Sequence, residues 1–326
     1  MRDGRGAVAR RGATKVGPRL VLVATASITA TIISAMWWSL PQPNPSDLAQ
    51  VWAGARAFLA GQNPYDAVGP GRSLNLQFPL MYPLPAVLLI SLLAWLPLRL
   101  LDPLFVGLGT AALAWGLTRN SLKNPQLLAL VSVPFFLCLQ LSQWAPLLMG
   151  AALVSSLGIL LACKPNIGLA LFLWSPRRST ALAVAGLYVL SVLIRPSWVA
   201  DWLRSTDAAT YATPVVLLPG GALTLLALLR WRLPEARVLV ALACIPHTVA
   251  LYETLYLFLI AKTWPRAAVL WATSLIGYIG WQLTKPWPST EANLAFGALS
   301  AVWSMYLPAT AILLLAAKET GTESRP

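Results

Sequence analysis

Ionisable side chains are scarce in this sequence, and their scarcity excludes several classes of protein. Charged residues make up 11% of the 326 residues, whereas soluble domains carry about 25%. Because 57% of the residues are hydrophobic, a soluble globular protein is excluded. The single histidine and the three cysteines, which lie in apolar surroundings, have no metal-ligand spacing. We therefore expect no metal site and no cofactor.

Long apolar runs are abundant, and they predict an all-α polytopic membrane protein. A helix needs about 20 apolar residues to cross a bilayer. The runs are continuous rather than alternating, which excludes a β-barrel. The candidate spans are Leu20–Leu40, Pro79–Leu98, Leu101–Leu117, Leu127–Leu141, Ala145–Ala162, Ile167–Trp174, Ala181–Ile194, Thr213–Leu229, Val238–Ala261, Ala267–Leu283 and Ala295–Ala317. Since several are short, and one is interrupted by Pro246, we expect roughly 8–11 transmembrane elements, some of them re-entrant.

The net charge of +13 lies in clusters rather than along a nucleic-acid-binding face. Six of the 24 basic residues fall within residues 1–19, which predicts a basic cytoplasmic tail that contacts membrane lipids. A single transmembrane domain is expected over residues 20–318, with a first outer loop at 41–78 and a C-terminal tail at 319–326. No nucleic-acid partner is expected.

The side of the membrane that holds Arg119 and Lys123 stays open. An outward first helix places residues 41–78 outside, in agreement with the positive-inside rule, because this loop has two basic residues. If both following candidate spans cross fully, Arg119 and Lys123 lie outside and break the rule. If one of those spans is re-entrant, they lie inside.

The first outer loop predicts a short amphipathic helix on the outer membrane surface. Its apolar residues recur at helical spacing: Leu48, Val51, Trp52, Ala55, Phe58 and Leu59. Gly61 and the Asn63-Pro64 pair predict the end of the helix. Asp47 lies at its start and, followed by Gln50, matches a capping box. Two roles are therefore open for the Asp47 carboxylate, capping the helix and facing a cavity, and one carboxylate can have both.

A series of short motifs begins in this loop and continues along the chain in a characteristic order. The motifs are Asp47, Ala55-Arg56-Ala57, Gly61-Gln62-Asn63-Pro64-Tyr65, Tyr82-Pro83-Leu84-Pro85, Gln143-Trp144-Ala145-Pro146, Lys164-Pro165, Pro246-His247 and Tyr252-Glu253. Their order resembles that of polytopic GT-C glycosyltransferases, and most closely glycosyltransferase family 87, which includes polyprenol-phosphate-mannose-dependent mannosyltransferases. Two departures concern the donor pocket: the segment between Gln143 and Lys164 is shorter than usual, and Glu253 stands where the family often has Asp.

The resemblance implies a GT-C-like helical bundle and an inverting sugar transfer on the extracytoplasmic face of the plasma membrane. The sugar, a mannose-like hexose or a pentose, would pass from a polyprenyl-phosphate donor to a hydroxyl group of a lipid or glycan acceptor. Asp47 is the candidate general base. The candidates for binding the donor phosphate are Lys164, Arg56 and His247. The candidate substrate contacts are Tyr82, Gln143, Tyr252 and Glu253.

Each candidate also has a purely structural explanation. Lys164 would extend from a helix end to a lipid headgroup, and His247 would be a hydrogen-bonded core residue. Gln143 would hydrogen-bond between helices, and Glu253 would pair with a helix N-terminus or with a neighbouring lysine. Two other functions stay open: a transporter or lipid flippase without chemistry, and a non-catalytic scaffold that has kept the fold.

Overall fold

The computed structural model describes residues 16–42, 45–207, 212–287 and 289–316. Most of the predicted basic tail and all of the C-terminal tail at 319–326 lie outside the described residues. The α-helices are α1 (Val16–Ser39), α2 (Asp47–Leu59), α3 (Pro64–Ala67), α4 (Leu84–Ser91), α5 (Leu98–Leu117), α6 (Val133–Leu141), α7 (Ala145–Leu153), α8 (Pro165–Trp174), α9 (Arg178–Ile194), α10 (Trp198–Thr206), α11 (Pro234–Cys244), α12 (Trp264–Leu283), α13 (Thr290–Ala301) and α14 (Leu307–Leu315).

Shorter elements connect these helices. The 3-10 helices are Pro125–Val131, Ser155–Cys163, Val215–Leu217, Gly221–Arg230 and Leu251–Ile260. A π-helical turn, Val302–Tyr306, joins α13 to α14. Two short strands, β1 (Ala212–Thr213) and β2 (His247–Thr248), pair in an antiparallel arrangement.

The apolar helices are those of a membrane-embedded all-α protein. Among the described residues, three helices are long and apolar enough to cross a membrane: Gly17–Ser39, Leu98–Leu117 and Ala292–Leu315. Two bent pairs, α6 with α7 and α9 with α10, raise this number to five if each pair counts as one span. The predicted 8–11 elements stay a prediction, because many of the apolar runs fold as short α-helices or 3-10 helices.

The first two long helices, α1 and α5, pack antiparallel. The Ser27 hydroxyl of α1 donates to the Gly107 carbonyl of α5 over 2.9 Å. Nearer the start of α1, the Arg19 guanidinium donates to the Thr118 hydroxyl over 3.2 Å. Gly107 permits this close packing, because a Cβ atom there would lie 2.1 Å from the Thr31 Oγ1. The end of α5 therefore lies beside the start of α1.

The candidate span Pro79–Leu98 is not a single membrane-crossing helix in the structure, which corrects that prediction. Its helix, α4, has 8 residues and is followed by turns up to the start of α5. Eight helical residues extend for about 12 Å, less than half of the hydrocarbon thickness. Both ends of this segment lie near α2, because the Met81 N–H donates to the Gln50 amide oxygen over 3.4 Å and the Trp52 indole donates to the Leu96 carbonyl over 2.9 Å. A re-entrant path of this segment would place Arg119 inside, and a full crossing would place it outside, so the side of Arg119 stays a prediction.

Basic loops gather where α1 starts, and we call this part of the molecule the basic end. Arg119 directly follows Thr118, which binds Arg19. Arg177 donates to the carbonyl of Ala152 over 3.2 Å, near the end of α7, which packs along the second half of α5. The membrane side of Arg119 was left undecided by the sequence, and the loop at Arg177 was predicted to be cytoplasmic. Both loops lie at the basic end.

A further basic loop joins this end. The Gln126 amide, shortly after Lys123, donates to the Leu259 carbonyl over 2.9 Å. Leu259 lies near the end of its 3-10 helix, and Lys262 and Arg266 follow. The opposite part of the molecule holds the start of α2, and we call it the Asp47 end.

Two interruptions place polar residues at the Asp47 end. α6 and α7 meet at an angle of 117°, where Ser142 adopts a left-handed backbone with φ 51°. The predicted break in Val238–Ala261 is confirmed, since α11 ends at Cys244 and β2 separates it from the next 3-10 helix. These interruptions lie directly beside Gln143 and at His247.

Candidate functional site

Asp47 occupies the first position of α2, and Ser46 before it caps the helix. The Ser46 hydroxyl accepts the Ala49 N–H over 3.2 Å, as a preferred N-cap residue does. The predicted capping box of Asp47 and Gln50 is therefore wrong, because Ser46 is the N-cap residue and Asp47 is already the first residue inside the helix. The Gln50 amide oxygen instead accepts the Met81 N–H over 3.4 Å.

The Asp47 carboxylate has Gln143 as its partner. The Gln143 Nε2 donates to the Asp47 Oδ2. Gln143 directly follows Ser142, whose left-handed backbone turns the chain between α6 and α7. The corner therefore brings the amide to the start of α2, as expected of a side chain that bonds between separate helices.

Asp47 is half-buried as a residue, and its carboxylate lies deep among the surrounding side chains. Burial raises the pKa of Asp47 above its ordinary range, while the positive charge of Lys164 and the hydrogen bond from Gln143 lower it. The negative charge of Glu253 adds to the increase.

Lys164 and Glu253 form an ion pair next to Asp47. The Lys164 Nζ contacts the Glu253 Oε1, and 17% and 1% of the two side chains are exposed. Lys164 connects the 3-10 helix Ser155–Cys163 to α8, and Glu253 lies in the 3-10 helix Leu251–Ile260. Removing one partner of a buried pair costs about 3–5 kcal/mol, so each side chain holds the other in place.

Four separate parts of the chain thus meet at one place. The charges of Lys164 and Glu253 reach Asp47, and they also reach His247. The structure brings together five of the predicted site residues, Asp47, Gln143, Lys164, His247 and Glu253, which we call the Asp47 cluster.

His247 has partners at both ring nitrogens. Its Nδ1 lies 2.8 Å from the Ile245 carbonyl, and its Nε2 lies 3.2 Å from the Tyr306 hydroxyl. Because a carbonyl can only accept, Nδ1 carries the proton, and Nε2 of the neutral ring accepts from Tyr306. With 2% of the residue exposed, His247 holds the π-helical turn against β2. Its role in binding the donor phosphate stays a prediction.

Arg56 lies outside the Asp47 cluster. Its side chain is exposed on α2, and its guanidinium stacks over the ring of Trp52 at 5.0 Å. The structure thus separates Arg56 from Lys164 and His247, and its predicted phosphate-binding role is untested.

Tyr82 and Tyr252 adjoin the Asp47 cluster. The ring of Tyr82 lies 5.8 Å from that of Trp144, the residue after Gln143. The Tyr252 carbonyl accepts the Cys138 Sγ–H over 3.6 Å. Both tyrosines therefore flank residues of the cluster, and their predicted substrate contacts stay predictions.

Asp102 is a buried carboxylate that was not predicted as a site residue. It accepts the Ser46 hydroxyl over 2.7 Å and also hydrogen-bonds with the Ser142 side chain. Ser46 precedes Asp47 and Ser142 precedes Gln143. The Asp102 carboxylate therefore links the two segments that carry the Asp47–Gln143 hydrogen bond. An acidic residue within an apolar helix was the signal in the sequence.

Four buried polar atoms of this region have no hydrogen-bond partner among the described residues. They are the Gln143 Oε1, the Trp144 Nε1, the Glu253 Oε2 and the hydroxyl of Tyr256. Tyr256 lies within electrostatic range of Glu253. An unsatisfied buried polar group costs about 1–3 kcal/mol, so a ligand or an ordered water that hydrogen-bonds these atoms would stabilise the protein.

Among the described residues, the Asp47 cluster is not a metal-binding group, and two cavities of the protein lie away from it. The described part of the chain contains no group of three or more His, Cys, Asp or Glu residues that could hold a metal ion. Cavities of about 600 Å³ and about 400 Å³ lie elsewhere, at the basic end and beside α12.

In comparisons with protein-family models, with curated proteins and with solved structures, nothing matches this chain. The family resemblance therefore rests on the order of the motifs alone.

Proposed function

We propose that this chain is an integral-membrane glycosyltransferase. It moves a mannose-like hexose or a pentose from a polyprenyl-phosphate donor to a hydroxyl group of a lipid or glycan acceptor, with inversion at the anomeric carbon. The observation that carries the proposal is the convergence of Asp47 with the Lys164–Glu253 pair. A carboxylate and a cation side by side are the two groups that this transfer needs.

Asp47 acts as the general base. It takes the proton of the acceptor hydroxyl while the acceptor oxygen attacks the anomeric carbon on the face opposite the phosphate. The bond between the anomeric carbon and the phosphate oxygen breaks, and polyprenyl phosphate leaves with the electron pair. The Gln143 N–H holds one carboxylate oxygen, which leaves Oδ1 for the acceptor. One displacement inverts the anomeric configuration.

Lys164 stabilises the departing phosphate. Negative charge grows on the phosphate oxygen as the bond breaks, so a fixed cation interacts more strongly with the transition state than with the donor. Glu253 fixes the position of the Lys164 Nζ. This scheme needs no metal ion.

The unpaired polar atoms suit the hydroxyl groups of a sugar. The Gln143 Oε1 and the Glu253 Oε2 are acceptors, and the Tyr256 hydroxyl both donates and accepts. Sugar hydroxyls bound there would remove the cost of leaving these atoms unsatisfied.

The position of the cluster favours the extracytoplasmic side. Basic loops concentrate on the cytoplasmic side of membrane proteins, and the Asp47 cluster lies at the end opposite the basic end. In the plasma membrane, a polyprenyl donor would keep its tail in the bilayer and present its sugar at the Asp47 end.

The test is sugar transfer in reconstituted vesicles that contain a panel of labelled polyprenyl-phosphate sugars. We expect Asp47→Asn to lower the rate by about 10²- to 10⁴-fold, because an amide cannot take the proton. Asp66→Asn is the matched control, since Asp66 is an exposed carboxylate of the same loop that accepts the Asn63 amide over 2.5 Å. Equal transfer by both variants would contradict the role of Asp47.

A second arm separates the phosphate-binding role of Lys164 from its structural role. Lys164→Met alone leaves Glu253 buried without its cation, so the variant is paired with Lys164→Met/Glu253→Gln, which removes both charges. We expect the double variant to fold and to have a lower kcat. Unchanged kcat in the folded double variant would contradict this role, and label that crosses the membrane without cleavage would favour a transporter.

A further inference from the structure

A cavity of about 600 Å³ opens at the basic end, far from the Asp47 cluster. Its charged lining consists of four cations and one carboxylate: Arg230, Arg232, Lys262, Arg266 and Glu235. The cations come from two separate parts of the chain: the last residue of the 3-10 helix Gly221–Arg230 with the turn after it, and the residues just before and at the start of α12. The fold therefore assembles one basic cavity from distant segments.

The single carboxylate neutralises one of these cations and fixes its place. The Lys262 Nζ lies 2.5 Å from the Glu235 Oε1. Within the described residues, neither Arg230 nor Arg232 takes part in an ion pair. Arg232 instead lies over the Trp231 ring at 5.8 Å. Two guanidinium groups thus remain for an anion, and guanidinium suits phosphate because its N–H groups match two phosphate oxygens.

The rest of the cavity lining is apolar, and this favours a lipid as the ligand over a soluble anion. Leu229, Leu233, Ile260 and Leu313 line the same cavity. Leu229 is 73% exposed and Trp231 is 60% exposed, so apolar surface continues from the cavity to the outside of the helices. Tryptophan is typical of the membrane interface. A headgroup phosphate would contact the cations while acyl chains follow this apolar surface.

We propose that this cavity binds the phosphodiester headgroup of an anionic phospholipid from the leaflet at the basic end. The volume is adequate, since ligand sites typically measure about 300–1,000 Å³. The attraction depends on charge, so it weakens as salt is raised. This site is independent of the proposed transfer reaction, because it lies at the other end of the molecule.

The experiment measures lipid binding to the full-length protein in detergent by native mass spectrometry. The probes are phosphatidylglycerol, phosphatidylcholine and glycerol 1-phosphate. We expect phosphatidylglycerol to bind more tightly than the other two, because only it combines net negative charge with acyl chains. Phosphatidylcholine binding of equal affinity would overturn the charge selection, and glycerol 1-phosphate binding of equal affinity would mean a soluble phosphate ligand instead.

The variants test the location. Arg230→Gln/Arg232→Gln should weaken phosphatidylglycerol binding about 25-fold, at about fivefold for each cation near the surface. Arg119→Gln/Lys123→Gln is the matched control, since it removes two cations from the same end that do not line the cavity. Equal losses in both double variants would show attraction to the whole basic end and would overturn the site. Thermal unfolding of each variant verifies that it is folded.

Discussion

At the scale of single residues, Asp47 combines burial with access. Ser46, rather than Asp47, caps α2, and the Gln143 amide donates a hydrogen bond to one oxygen of the Asp47 carboxylate. Asp102, in contrast, is 2% exposed, and its carboxylate accepts a hydrogen bond from the Ser46 hydroxyl. Two acids within one region thus have different environments, and Asp47, the half-buried one, is the candidate base.

The raised pKa of Asp47 predicts how transfer depends on pH. The base is the ionised carboxylate, which exists above the pKa of the folded protein. Because burial raises this pKa, kcat/KM should fall as the pH is lowered through a value above the ordinary Asp pKa of about 3.9. The measurement is kcat/KM against pH in vesicles, with protein stability followed in parallel. A rate that stays constant down to about pH 4 would contradict the prediction.

Gln143→Leu sharpens this test. The hydrogen bond from Gln143 lowers the pKa of Asp47, so its removal should move the acid limb to higher pH. Gln126→Leu is the control, because the Gln126 amide donates to the Leu259 carbonyl at the basic end. An equal displacement in both variants would mean that the acid limb does not report Asp47.

At the scale of elements, α2 was largely predictable and its surroundings were not. Its apolar spacing and the stop at Gly61, where φ is +75°, are local properties, and the helix Asp47–Leu59 confirms them. The predicted position on the membrane surface differs from the structure. Leu48 and Val51 are fully buried, because α2 packs against α4. An amphipathic pattern shows that one face of a helix is covered. It does not show whether lipid or another helix of the protein covers that face.

The contact between α5 and α7 depends on a glycine and offers a prediction. A Cβ atom on Gly150 would lie 2.7 Å from the backbone carbon of Ala112. Gly150→Ala should therefore force the helices apart, and overpacking of this kind costs about 1–3 kcal/mol. The measurement is thermal unfolding in detergent, where the melting temperature should fall.

Gly186→Ala in α9 is the control for this substitution. A Cβ atom there meets nothing within 4 Å, and alanine stabilises a helix interior by about 0.5–1 kcal/mol relative to glycine. Its melting temperature should stay equal or rise. A fall of equal size in both variants would contradict the close approach at Gly150.

At the scale of the whole molecule, the topology depends on whether the segment between α3 and α5 is re-entrant, as we predict, or crosses the membrane. Asn120 lies beside Arg119 at the basic end, and Ser73 lies in the predicted first outer loop. We predict that Ser73→Cys and Asn120→Cys, in a cysteine-free background, react with an impermeant thiol reagent from opposite sides of the membrane. Both positions are exposed. Labelling of both from one side would mean that the segment around Pro79–Leu98 crosses fully.

The sequence by itself determined the all-α membrane character, the basic end and α2, because hydropathy, charge and helical spacing are properties of neighbouring residues. It also identified residues that meet in the Asp47 cluster, since ionisable groups in apolar runs are few. Tertiary structure alone decided which of them pair. The Asp47–Gln143 and Lys164–Glu253 contacts, and the Asp102 link beneath them, join segments that are remote along the chain. Such contacts depend on how helices pack, which no local pattern encodes.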